Sequence, residues 1–393
     1  MNKQLKSTIM SMKGFYLLTF FGIGSLYPLL SVYLSEVEQL NGYQIGTIMS
    51  ISPIIMIFFQ PLWGMAADKT NAPIRILTLT TMIAAITALG FLIFSGYYWV
   101  FFVAVCVAIF QSAIIPISDS MSIKYTSKVK INYGNIRLFG SLGFGVAVFL
   151  MGRLSEINPK VIFFAFFISL LIASFLAIKM PSEKGSGNRN LLGGVKEMMT
   201  HKKFLIFLGI TFLIFGPNLG NNNYFGLFIE HRGGTYTGIG IAFLIAVLSE
   251  IPFMRVAGNW IHRLGLLQVI IIAGVISIAR WLIYFTEPSL WLIYSTAILQ
   301  GFSIGLFIPA GLHYIKEITP VHITVTGITL YSAIGNGLGN WFCTFFGGII
   351  FEEFNIYSMY LFYGFLSFIG LLLCLWLMNE EKKSEKVAFA KRG

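Results

Sequence analysis

The chain has 393 residues, of which 56% are hydrophobic and only 11% charged, and its mean hydropathy is +0.79. Soluble domains carry about 25% charged residues, so this composition excludes a large aqueous domain. The net charge of +11 does not imply nucleic acid, because its lysines and arginines fall mainly in alternate connections between apolar runs.

A hydrocarbon core of about 30 Å needs about 20 helical residues to cross it. Runs of that kind predict twelve spans, near 14–34, 43–66, 74–95, 98–122, 134–153, 160–179, 204–229, 236–256, 266–286, 289–315, 324–351 and 356–378. Lys3, Lys6 and Lys13 precede the first run, which lacks a small-x-small cleavage site and reads as a retained helix. Basic residues recur at Lys69 and Arg75, Lys124 to Lys130, Lys179 to Lys203, Arg255 and Arg263, Lys316 and the tail, while the intervening loops carry Glu36, Glu38, Glu287, Glu352 and Glu353. Positive-inside patterning then places both termini in the cytoplasm of a multi-pass protein of the cytoplasmic (inner) membrane.

Taken in chain order, the first span offers Tyr27, beside Pro28, as a cavity residue. The second ends in Gly64-x-x-x-Asp68-Lys69, followed by Arg75, a charged turn at a helix end suited to conformational control. The fourth span holds Gln111, Pro116 and Asp119, and the fifth holds Arg137 with Gly140-x-x-Gly143. A charge at a helix centre costs roughly 2.5–3.5 kcal/mol on the insertion scale, so its default reading is a pathway or binding site. Asp119 and Arg137 lie on consecutive antiparallel spans, and the expectation is that they pair, either to bind a polar substrate or to pin the two helices.

A polar stretch at 181–203 divides the chain, with Gly185, Ser186 and Gly187 suiting a flexible linker and a short surface helix expected at its end. Span seven then carries Gly216-Pro217, Asn218, Asn221, Asn222 and Asn223, too polar for lipid. It reads as a broken segment lining a cavity, with Asn222 as a substrate contact or part of a gate. Glu230, His231 and Arg232 read as a solvated outer turn.

Glu250 in span eight lies among Leu, Ile and Phe, which suits a proton carrier, with Arg280 in span nine as its modulator or as an anion site for substrate. Asp119 is the rival for the proton, and a second structural pair is the alternative. His313 in span ten is read either as part of the coupling or as a hydrogen-bonded interface residue. Tyr331 and Asn336 in span eleven are further cavity candidates. Cys106, Cys343 and Cys374 sit in apolar runs without metal-ligand spacing and read as free thiols. Gly301-x-Ser303-x-Gly305 matches a nucleophile elbow but lies within a span, where close helix packing explains it better. Gly335-x-Gly337-x-Gly339 opens no βαβ unit, and no Walker sequence occurs.

Three features recur at a nearly constant offset: Gly64 and Gly258 are 194 residues apart, Pro116 and Pro309 193, and Gly140 and Gly335 195. A duplicated six-helix unit is the expectation.

Trp63-Gly64-Met65-Ala66-Ala67-Asp68-Lys69 with Arg75 resembles the loop that joins helices two and three in the major facilitator superfamily, although Asn71-Ala72-Pro73 stands where that family usually has a Gly and more basic residues. Asp119 followed by Tyr133-Gly134-Asn135-Ile136-Arg137-Leu138-Phe139-Gly140-Ser141 resembles the lactose permease and phenylpropionate permease branches. In the former, an acidic residue on helix four and an arginine on helix five hold the sugar. Gln60-Pro61-Leu62-Trp63-Gly64 and Ala279-Arg280-Trp281 are similar to the phenylpropionate and nucleoside-symporter-like members, and Glu250 resembles an acidic position of the same branches.

The expected fold is therefore an all-α membrane protein, with twelve transmembrane helices in two pseudo-symmetric six-helix bundles at 1–180 and 204–379, a cytoplasmic linker at 181–203 and a tail at 380–393. The expected function is secondary transport, not catalysis: a proton-driven symporter that imports a small polar organic solute (an aromatic acid, a sugar or a nucleoside), needs no cofactor or metal, contacts the lipid bilayer and no nucleic acid, and works as a monomer. A proton-driven exporter and a non-transporting sensor are the alternatives. The substrate-contact set is Asp119, Arg137, Asn222, Tyr27, Gln111, Tyr331 and Asn336; the coupling set is Glu250, Arg280 and His313; the gating set is Gly64, Asp68, Lys69 and Arg75.

Overall fold

The computed structural model describes residues 3–181, 196–320 and 323–390, and among them every regular element is a helix. The first seven are α1 (Lys3–Glu36), α2 (Gly42–Thr70), α3 (Pro73–Ala88), the single turn α4 (Gly90–Ile93), α5 (Tyr97–Lys128), α6 (Gly134–Ser155) and α7 (Val161–Ala177). Then α8 (Lys202–Ile210) passes through a π turn, Thr211–Phe215, into α9 (Gly216–His231). Next come α10 (Tyr236–Leu264), α11 (Leu266–Phe285) and α12 (Leu290–Ile318). Finally, α13 (Thr324–Ser332) runs through a π stretch, Ala333–Gly339, into α14 (Asn340–Glu353), followed by α15 (Ile356–Ala390).

Local chemistry sets several of these boundaries. Asn41 caps α2 in a reciprocal box with Gln44. That helix ends at Asn71, whose left-handed φ of 51° supplies what a glycine usually does there. Pro73 then opens α3 at its first position, where no N–H is needed.

Ten helices among the described residues are long and apolar enough to cross a membrane. Two expected spans are not in that set. One is α7, apolar but 17 residues long; the other is the eleventh, where α13 and α14 are joined through the π stretch Ala333–Gly339. Span seven was expected to be broken at Gly216-Pro217. It is instead continuous: the π turn just before Pro217 accommodates a residue that has no N–H for the α ladder.

The chain packs as two compact units, one of residues 1–189 and 222–244, the other of residues 190–221 and 245–393. In the first, α1 lies along α6 and α7, α5 along α2 and α3, and α3 along α7. Its core includes Phe91 stacked on Phe163 at 5.1 Å, with Tyr33 edge-on to the same ring at 4.7 Å. The start of α10 belongs to this unit and touches α6 backbone to backbone: a Cβ on Gly240 would fall 2.7 Å from the carbonyl of Val148. In the second unit α11 lies along α12 and α15, and Phe215 stacks on Phe307 at 5.3 Å. The two π segments meet there, with Gly216 and Gly339 so close that a Cβ on either would lie about 3.1–3.2 Å from the other's backbone. Large apolar side chains such as Phe102, Phe175 and Phe365 stay exposed along the spans, as expected where the solvent is hydrocarbon.

Most of the linker expected at 181–203, residues 182–195, lies outside the described residues; its end contains the helical turn at 196–198. In the expected tail, α15 continues as helix to Ala390, and residues 391–393 lie outside the description.

Candidate functional site

Among the described residues each unit contains a charged cluster within its spans, and the two are built differently. In the first unit, Asp119 projects from the last third of α5, and its Oδ1 accepts hydrogen bonds from Tyr16 of α1 at 2.6 Å and Tyr133 at 2.8 Å. Tyr133 precedes α6, and burial, reinforced by the Asp119 carboxylate, pushes its phenol well above the usual tyrosine range. Arg137 enters from α6, stacking its guanidinium 4.0 Å from the centroid of Phe20 and 5.8 Å from that of Tyr16. Gly140 leaves room for this stack, since a Cβ there would fall 2.7 Å from Nη1 of Arg137 and 2.9 Å from Phe20.

The expected Asp119–Arg137 ion pair is not formed: among the described residues Asp119 is held by phenols and Arg137 by ring faces. Two tyrosines within reach satisfy the carboxylate, and Phe20 draws the guanidinium by cation–π attraction. Both residues are half-buried, and the N–H fork of Arg137 is committed to no protein acceptor among the described residues. Such a fork is suited to a planar or hydroxyl-rich acceptor.

The second unit buries Arg280 completely on α11. Its Nη1 donates to Gln300 Oε1 at 3.1 Å and its Nη2 to Asn218 Oδ1 at 3.1 Å, while the guanidinium lies 4.2 Å from the ring centroid of Trp281. Asn218 donates in turn to Ser277 at 3.0 Å, Asn221 donates to Gln300 at 3.2 Å, and Tyr360 donates to Asn221 at 3.2 Å. This network ties together α9, α11, α12 and α15. The expected partnership of Arg280 with Glu250 is therefore replaced by one with amides: Asn218 and Gln300 take its donors, and Nε has no partner among the described residues. Glu250 lies half-buried on α10, where Gly305 of α12 comes against its backbone, a Cβ there falling 3.0 Å from the Glu250 carbonyl. Gly301 makes a similar approach, 2.6 Å from the Glu250 amide, so the G-x-S-x-G run is a helix-packing seam.

The remaining candidates are dispersed. Tyr27 donates to Gln111 at 2.7 Å, which makes those two a bridge between α1 and α5. Asn222 is half-buried on α9, in the first unit. Tyr331 is buried with its hydroxyl against Gly311 and without a hydrogen-bond partner among the described residues. Asn336 is exposed and donates to Ser332, one turn away, and His313 is exposed. Asp68, Lys69 and Arg75 are exposed, with no ion pair joining Asp68 to the two cations, and Gly64 stands in open space.

Sequence reasoning missed Tyr16, Phe20, Gln300 and Tyr360 as site residues. Tyr133 lay inside the quoted motif but was not assigned a role. Asn218 and Asn221 are three residues apart and share a helix face, a spacing that could have selected them over Asn222.

Comparison with known proteins gives a consistent picture. The family model described as the MFS_1 like family matches residues 9–362. The chain is 50% identical to an uncharacterized transporter, YwbF, of Bacillus subtilis (strain 168), covering 97% of this chain and 96% of that one. It is 44% identical to a maltose permease of Geobacillus stearothermophilus, covering 94% of each. Among solved structures, nucleoside transporter NupG superposes with a TM-score of 0.82 at 19% identity, covering 94% of this chain and 99% of that one, a likeness of fold.

Proposed function

Because this chain belongs to the MFS_1 like family of the major facilitator superfamily, a family of multi-pass membrane transporters and not of enzymes, we propose that it imports a disaccharide together with protons. The transport cycle is alternating access by two six-helix halves of a twelve-span monomer in the cytoplasmic membrane, with both termini cytoplasmic.

The observation that carries this reading is the first-unit cluster: a guanidinium laid on Phe20 with its donors uncommitted, next to a carboxylate oriented by two phenols. Sugar hydroxyls both donate and accept, so they can address an acid and an arginine at once, and ring faces suit the apolar side of a pyranose. The 44% identical relative is named a maltose permease, which favours a sugar over an aromatic acid or a nucleoside. Asp119 has one oxygen engaged by two phenols and serves binding; Glu250 is the proton carrier. Asp68, Lys69 and Arg75, exposed at a helix turn, act in conformational control.

The test is uptake of labelled maltose, uridine and 3-phenylpropionate into proteoliposomes with an imposed pH gradient. Maltose should accumulate against its gradient, and Glu250→Gln should abolish accumulation while sparing exchange of internal for external sugar. Accumulation of another solute class would replace the sugar; movement in the opposite direction would make the protein an exporter, and no movement at all a sensor.

A further inference from the structure

We infer that the second unit carries, at one end of its spans, a headgroup site for an anionic phospholipid, a site that goes beyond the transport pathway proposed above. A cavity of about 750 Å³ opens where the beginnings of α8 and α11 meet the ends of α12 and α15. Its walls include residues 202–204 and 266–268, the first three residues of two separate helices. Their cap residues, His201 and Gly265, provide no side-chain hydrogen bond, and the first amides bonded back to those caps are those of Leu205 and Val269. Two sets of outward-facing N–H groups therefore border one space, with the positive ends of both helix dipoles.

The side chains add charge to this backbone feature. Lys202, Lys203 and Lys382 face two carboxylates, Glu317 and Glu381, with His201 at the edge. Glu381 is already engaged, accepting from Tyr314 at 2.7 Å and pairing with Lys203 at 3.3 Å. Lys202 and Lys382 are exposed and have no ion-pair partner among the described residues, so the cavity presents net positive charge. Phe204, Leu267, Ile318 and Met378 line the same space. A free phosphate has no use for that apolar wall. A phosphodiester with its glycerol and first acyl methylenes matches both halves of the lining, at the depth where apolar spans give way to lysines.

The full-length protein tests this in phosphatidylglycerol or phosphatidylcholine, by thermal melting and by native mass spectrometry. Phosphatidylglycerol should raise the melting temperature and remain bound; the paired change Lys202→Gln and Lys382→Gln should remove most of that shift, and Lys202→Arg with Lys382→Arg should retain it. An equal response to both lipids, or a shift indifferent to the glutamine pair, would overturn the site. Inorganic phosphate reproducing the whole shift would overturn the lipid assignment in favour of a soluble anion. If the glutamine pair does not fold, Lys202→Cys on a Cys106→Ser background provides a second readout. Its maleimide labelling should slow severalfold in phosphatidylglycerol vesicles compared with phosphatidylcholine, and equal rates would refute the proposal.

Discussion

Arg137 and Arg280 are both arginines inside apolar spans, yet their surroundings are of opposite kinds. Arg280 is fully buried and spends its two terminal nitrogens on the amides of Gln300 and Asn218, which are themselves held by Asn221 and Ser277. Arg137 is half-buried and rests on ring faces, and its hydrogen-bond fork meets no protein acceptor among the described residues. An arginine whose donors are consumed by fixed partners holds a helix bundle together; one whose donors remain open is available to a ligand, the role proposed for Arg137.

The contrast breaks most readily at Arg280. Arg280→Met removes the donor to Asn218 Oδ1, whereas Gln300 Oε1 keeps Asn221, so one buried acceptor is left unsatisfied next to a partly filled cavity. The expected loss is roughly 2–4 kcal/mol, seen as a clearly lower melting temperature in detergent. An unchanged melting temperature would show the network to be incidental. Arg137→Ala tests the other side. It should leave the melting temperature nearly unaltered and weaken substrate binding about 10–100-fold, measured by titration calorimetry or by half-maximal uptake. Unaltered affinity would reduce Arg137 to scaffolding, and the comparison would fail.

The smallest effect lies outside the spans. Glu156 follows α6 and accepts the backbone N–H of Thr237 at 2.9 Å, which holds its carboxyl below the usual carboxylate range. A depressed carboxyl contributes stability above its unfolded pKa, about 4.3, and loses that contribution as pH falls through the lower folded value. Glu156→Gln should therefore lower the melting temperature slightly at pH 7, and the gap should close as pH drops below 4. A gap that persists in acid would mean that the carboxylate charge plays no part.

The spans were legible because hydrocarbon demands long apolar helices, and that demand is written residue by residue. The capping of α2 by Asn41 and its left-handed ending at Asn71 depend on exact backbone geometry, and the sequence registered the latter only as a departure from Gly. Polar residues inside apolar runs were equally visible, and Asp119, Arg137, Asn218, Glu250 and Arg280 all stood out. Their partners did not. Opposite charges on adjacent helices invite pairing, but a tyrosine from α1, more than a hundred residues away in sequence, outcompeted Arg137 for Asp119. Gln300 escaped notice for the same reason: one amide in an apolar span means little until Arg280 is beside it. Gly64 and Gly258, picked out by their matching offset, both stand in open space, so the present packing does not account for either.

The bulged turns at Thr211–Phe215 and Ala333–Gly339 are the two places where the α ladder of these rods is already loosened. A π turn accommodates about one residue more than an α turn. Moving that residue along the rod would turn the segment it passes by about 100°. For the segment starting at Gly216, such a slip would carry Asn218 and Asn221 off their present bearing, releasing Arg280 and Tyr360 without unravelling the rod.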